Sequence, residues 1–191
     1  MANSTSASLK LTVQATGENS GTWGQITNTN LLILEQAIGG YDAFNVTNAS
    51  RALTFTNGAL SNGKNEVIKL TGTLEGNLNV TIPDSVEKTY IVEDGTDHAG
   101  YTLTFKTTSG TGVLLCEGHS YTLWSDGTNV YKSSELRKWR AISSAETIQA
   151  GAQILANTNG GAVTITLPAS PATGDTVNFV DQGYDFNTNA L

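Results

Sequence analysis

At 191 residues, with a hydrophobic fraction of 38%, the chain has room for one large or two small domains with modest cores. A net charge of -7 and a pI near 4.7 leave no cluster of Lys and Arg for binding phosphates, so neither DNA nor RNA is an expected partner. Charged residues make up only 14%, and Thr, Asn and Gly stand in their place, a balance that suits strands and tight turns and predicts a mainly β fold. Cys116 is the single cysteine, which excludes an internal disulfide. MANSTSASLK has no apolar stretch after a basic start, and no apolar run approaches roughly 18 residues. Neither a signal peptide nor a membrane span is expected, and folding in a cytosol is.

Residues 1–18 read as a polar arm with one alternating patch, Leu9 to Val13, that is long enough for a short strand. Residues 19–43 hold the one long helix. Thr22 and Gln25 have capping-box spacing, and Trp23, Ile26, Ile33 and Ala37 recur every three to four residues. Leu31, Leu34 and Ile38 widen that stripe, and Gly39-Gly40 predicts a left-handed stop. An apolar face so broad needs cover from its own β-domain, from copies of itself or from a docking partner. Asn30 lies among these positions, where a buried Asn can fix register in a helical bundle; exposure on the helix flank is the alternative.

Residues 44–133 alternate as strands and turns. Leu53 and Phe55 alternate with Thr54 and Thr56, and Leu78, Val80 and Ile82 alternate with Asn77, Asn79 and Thr81. Pro83-Asp84 ends that strand, Tyr90-Ile91-Val92 reads as an inner strand, and Glu93 to Asp97 reads as a turn. Asp126-Gly127 marks a hairpin between Tyr121–Trp124 and Val130-Tyr131. These features predict a β-sandwich or small barrel. Residues 134–143 read as a basic linker, with Arg137, Lys138, Trp139 and Arg140 offering a possible partner contact and a solvated connector as the plainer reading. Residues 144–191 echo the earlier module: Thr164 to Pro168, Val177 to Asp181 and Asn189 to Leu191 repeat its order of strand, proline turn, strand ending in an acid, and strand. A second, incomplete β-sandwich or barrel-like module is expected there, and with it a longer polypeptide.

Patterns that carry chemistry are sparse. Gly58 to Lys64 has phosphate-loop spacing, but Asn65 stands where Ser or Thr would hold magnesium and a strand follows where a helix is needed, so a β-turn is expected. Cys116 and His119 form half of a zinc pattern, with His98 as the one remaining soft ligand, and no metal or cofactor is expected. Glu93, Asp94 and Asp97 lack the twelve-residue calcium pattern. His98 or His119 with Ser120 and Asp126 could not make a serine triad without a strained nucleophile turn, and none is present. Tyr101, Tyr121, Trp124 and Tyr131 suit either a sugar platform or a core. No catalytic residue is predicted, and the chain reads as a non-enzyme.

GENSGTWGQITNTNLLILEQAIGG, VIKLTGTLEGNLNVTIPDSVEKTYIVEDGT, the LWSDGTNV hairpin and ITLPASPATGDTVNFVDQG together resemble the N-terminal portion of tail-fibre proteins of marine bacteriophages, particularly those infecting cyanobacteria. The resemblance covers residues 17–40, 67–131 and 144–191. It implies a structural virion protein located in the tail, assembled in the host cytoplasm, whose N-terminal region fastens a homotrimer to other tail proteins (an adaptor, nozzle or baseplate) in support of host adsorption. It also implies a host receptor bound by a part beyond residue 191. On that resemblance Trp23, Ile26, Leu31, Leu34 and Ile38 are the expected assembly or docking residues. Alternatives are a carbohydrate-binding β-sandwich recognising a host glycan, a tailspike-like glycan hydrolase with paired carboxylates, and a structural protein of the baseplate or capsid surface.

Overall fold

The computed structural model describes residues 2–184, 186, 188, 189 and 191. In chain order the elements are β1 (Ser4–Thr5), β2 (Thr12–Val13), α1 (Trp23–Gly39), β3 (Tyr41–Asn45), β4 (Arg51–Ala52), β5 (Val67–Thr73), β6 (Leu78–Ile82), β7 (Glu87–Asp97), β8 (Leu103–Thr107) and β9 (Gly112–Leu115). They continue as β10 (Ser120–Asp126), β11 (Val130–Leu136), β12 (Trp139–Ile142), β13 (Glu146–Thr147), β14 (Gln153–Ala156), β15 (Ile165–Thr166) and β16 (Asn178–Asp181).

The strands wind into a β-solenoid of about six turns, which overturns the expectation of two sandwich or barrel modules. Consecutive strands cross from one face to the other, and each pairs in parallel with its counterpart one turn on. Thus β3-β5-β7 stack as one wall and β4-β6-β8 as the opposite wall. Tyr41 pairs with Val67 and Val67 with Ile91, so the coil repeats about every 25 residues. A sandwich would join neighbours by hairpins, whereas parallel neighbours require a crossover, and here the opposite wall is that crossover. The physical reason is the placement of the inward residues. In-register stacking sets Phe44 on Leu70, Ile68 on Val92 and Val80 on Phe105, so each turn covers the apolar layer of the one before.

Hairpins interrupt the coil midway. β9 folds back antiparallel on β8, β10 runs antiparallel along Glu87–Glu93 of β7, and β11 closes that wall. Winding then resumes with the parallel stacks β12-β14-β16 and β13-β15 around a second, smaller core of Ile142, Ile148, Ile154, Ala156 and Val163. The basic stretch expected as a linker is therefore strand for most of its length. The expected turn Glu93 to Asp97 is the second half of β7. Of the expected closing strand Asn189 to Leu191, Ala190 lies outside the described residues, and Asn189 and Leu191 are not in strands.

Helix α1 sits at the first turn of the coil. Gln36 Nε2 donates to Asn65 Oδ1 at 3.1 Å, and the Ser61 N–H donates to Gln36 Oε1 at 3.3 Å. The expected capping box does not form: Thr22 makes no side-chain cap, and its hydroxyl donates backwards to Asn19 O at 3.3 Å. Nor is the stop left-handed, because Gly40 is extended (φ -72°, ψ 143°) and runs directly into β3. Glycine is needed there for clearance, since a Cβ would collide with Gln36 O and Asn65 Oδ1. Asn30 is half-buried and hydrogen-bonded within its own chain. Its amide donates to Thr12 O and accepts from the Thr12 N–H, both at 2.9 Å, and so ties the N-terminal arm to the helix.

Candidate functional site

Two features stand out: an apolar face on α1 and a polar cleft where the two cores meet. At 100° per residue, Trp23, Leu31, Leu34 and Ile38 fall within an arc of about 80°. All four are exposed, Trp23 at 64%, Leu31 at 58% and Ile38 at 79%, while Ile33 on the other face is fully buried. Ile26 turns away from the exposed arc toward the side of Ile33. The expected docking set therefore divides into four exposed residues and one, Ile26, that is partly buried. The only charged residue in α1 is Glu35, which leaves the outward stripe uncharged.

The cleft, of about 520 Å³, follows from uneven strand pairing. β10 covers β7 only as far as Glu93. Beyond it the Asp94 N–H donates to His119 O at 2.9 Å and the Gly118 N–H to Asp94 O at 2.8 Å. The rest of β7 is left facing the second stack across Asp97, His98, Cys116, His119 and Gln149. The walls are heavily hydrogen-bonded. Buried Asp94 accepts from the Thr96 hydroxyl at 2.6 Å and lies 2.8 Å from His98 Nε2, while Gln149 Nε2 donates to His98 Nδ1 at 2.7 Å and to Tyr101 O at 2.9 Å.

Cys116, His119 and Glu135 place their ligating atoms within 4.8 Å of one another. His119 Nδ1 is 2.6 Å from Glu135 Oε1, Lys132 Nζ donates to Glu135 Oε2 at 2.8 Å, and Cys116 Sγ donates to Ala150 O at 3.1 Å. Burial pushes the Cys116 thiol up, reinforced by the nearby carboxylates of Glu135 and Asp94. Burial would also raise Glu135, but the hydrogen bonds from Lys132 and His119 outweigh it and hold its carboxyl below the ordinary value. The thiol is thus kept protonated, which disfavours a role as nucleophile.

The half zinc pattern read from sequence is completed by Glu135, not by His98. Reading β11 as continuous with β10 from the Asp126-Gly127 turn misses this, because a bulge lies between. Trp124 pairs with Tyr131 and Leu123 with Lys132, but Thr122 pairs with Ser134 and Tyr121 with Glu135. Ser133 is the extra residue, and it brings Glu135 opposite the inward-facing Tyr121. Composition near the Asp-Gly turn gives no sign of such a bulge.

The basic stretch spends its charge inside the chain. Lys138 Nζ donates to Glu93 at 3.0 Å, Arg137 lies 3.7 Å from Glu135, and Arg140 grips Glu146 with two hydrogen bonds and reaches Glu117 at 3.3 Å. Arg137, Lys138 and Trp139 are all exposed, and Arg140 is partly buried. Tyr121 is buried while Trp124 and Tyr131 stack on the outer face with centroids 4.6 Å apart, so the four aromatics do not share one face. The phosphate-loop look-alike folds around its own lysine: buried Lys64 donates to Thr56 O at 2.7 Å and Ala59 O at 2.6 Å. Asp94 points inward and Glu93 pairs outward with lysines, so the two do not form a joint calcium cage. His98 and His119 are engaged by Asp94 and Glu135, and no triad with Ser120 and Asp126 forms. Among the described residues no helix is long and apolar enough to cross a membrane, which says nothing about strands. No family model matches this sequence, and neither curated proteins nor solved structures show a match to it.

Proposed function

We propose that this chain is a structural, non-enzymatic component of a phage tail fibre, in which α1 fastens the fibre and the solenoid forms its first stem segment. The observation that carries the reading is the exposed, uncharged stripe of Trp23, Leu31, Leu34 and Ile38, which none of the described residues covers. Burying such a stripe yields about 25 cal/mol per Å² of apolar area removed from water, which favours association through that face. Three copies meeting through α1 make a homotrimer whose shared core one chain lacks, and the same end docks on a neighbouring tail protein. The in-register solenoid suits a stem, because within each stack one turn is covered by the next. Several fibres on one particle then convert weak contacts at a host surface into strong avidity.

Electron microscopy of virions decorated with antibody against this chain tests the assignment. Label at the tail, in multiples of three copies, is expected. Label confined to the capsid, or absent from particles altogether, contradicts it.

A further inference from the structure

We propose that Cys116, His119 and Glu135 form a binding site for a zinc-type divalent ion at the edge of the cleft between the two cores. Thiolate sulfur, imidazole nitrogen and carboxylate oxygen suit zinc among the common divalent ions, whereas calcium and magnesium take oxygen ligands alone. The three ligating atoms already lie within 4.8 Å of one another, and small side-chain movements bring them around one ion.

The backbone is arranged to converge them. Cys116 and His119 lie on one tight loop, where the His119 N–H donates to Cys116 O at 3.1 Å and the Cys116 N–H donates to Tyr121 Oη at 2.7 Å. The Ser133 bulge turns Glu135 to the same side, and bulges of this kind are concentrated where a strand must re-aim a functional side chain. His119 is 1% exposed and the Glu135 side chain 10%, so two ligands are held in place by their surroundings. Cys116 and His119 also line the cleft, which gives the ion a path in.

Loading proceeds by proton displacement. The Cys116 thiol loses its proton to solvent, His119 offers the ion a ring nitrogen that carries no proton, and Glu135 trades its contact with His119 for the ion. Water from the cleft fills the fourth position. One proton is therefore released per ion bound, and the site acts as a clip between the loop before β10 and the strand β11.

Calorimetric titration of the metal-stripped chain with zinc alone, repeated in buffers of different ionisation enthalpy, tests the site, with cobalt as an optical probe. One equivalent, about one proton released, and a thiolate-to-cobalt charge-transfer band are expected. Cys116→Ser, nearly isosteric, should abolish the band. Glu135→Gln should weaken zinc by at least the roughly 10- to 100-fold that loss of a mere supporting group costs. Circular dichroism of both variants in chelator checks that they fold. No saturable one-to-one binding by wild type, or a cobalt band that survives Cys116→Ser, overturns the proposal. If Cys116→Ser does not fold, Glu135→Gln decides alone, and unchanged affinity in it overturns the proposal equally.

Discussion

At the scale of single residues, several partly buried carboxylates are paired with cations, and these pairs shape the response to acid. Glu135 is the clearest case. Burial opposes its ionisation, but the Lys132 ammonium and the His119 ring hold its carboxyl below the ordinary glutamate value of 4.5. A carboxylate with a depressed folded-state pKa contributes stability that is fully present above its unfolded value and is lost as pH falls through the folded one. Glu93 acts in the same sense through Lys138, whereas Glu117, raised by burial despite Arg140, acts in the opposite one. Chemical denaturation in chelator across the acid range should therefore show wild type more stable than Glu135→Gln above pH 4.5, with the gap closing as pH falls below it. A gap that stays constant through acid would mean that Glu135 acts through shape and not through charge.

At the scale of elements, parallel stacking at the coil period decides the fold, and it leaves a direct chemical signature. Val67 and Ile91 are paired neighbours on the outward face of β5 and β7. In a Cys116→Ser background, Val67→Cys with Ile91→Cys should close a disulfide under mild oxidation, because adjacent strands lie about 4.8 Å apart, within the reach such a bond allows. A gel shift after protease cleavage between the two positions checks it; failure to cross-link would favour a hairpin-joined sandwich.

Much of the strand content was legible in the sequence, because alternation such as Leu78-Val80-Ile82 specifies a strand whichever partner it takes. Partner choice was not legible from alternation alone. The sign available was the recurrence of inward apolar residues one coil apart, Phe44 then Leu70 and Ile68 then Val92 on one wall, and Leu78 then Leu103 and Val80 then Phe105 on the other. The longer echo between Val80-Ile82 and Ile165-Leu167 drew attention to modules instead. Helix α1 was readable from its period, but its ends were not: Thr22 and Gly40 carry the right residue types for caps, yet the Thr22 hydroxyl turns back to Asn19 O and Gly40 is extended in the tight space beside Gln36 and Asn65. Glu93 to Asp97 has the composition of a turn, yet the hydrogen bonds to Asp94 from Thr96 and His98 let an acid face inward on a strand. The third member of the cysteine-histidine cluster depended on one unpaired residue, Ser133, which no periodicity reveals.

At the scale of the whole molecule, the coil explains why so few charges suffice. Stability in such a stack is close to a sum of turns and their interfaces, so the exposed ends of the stack matter more than any single layer. Helix α1 lies beside the first turn through Gln36, Ser61 and Asn65, with Ile33 buried and Trp23, Leu31, Leu34 and Ile38 exposed. The inward face lies against the chain's own coil, and the outward face is where we propose that chains meet. Sedimentation equilibrium of wild type beside the double variant Leu31→Asp, Leu34→Asp tests this most directly. The account predicts wild type at three times the chain mass of 20.1 kDa and the variant at one, with unchanged β-sheet circular dichroism. A wild-type chain that remains a monomer at all concentrations, or a variant that still assembles, would contradict it.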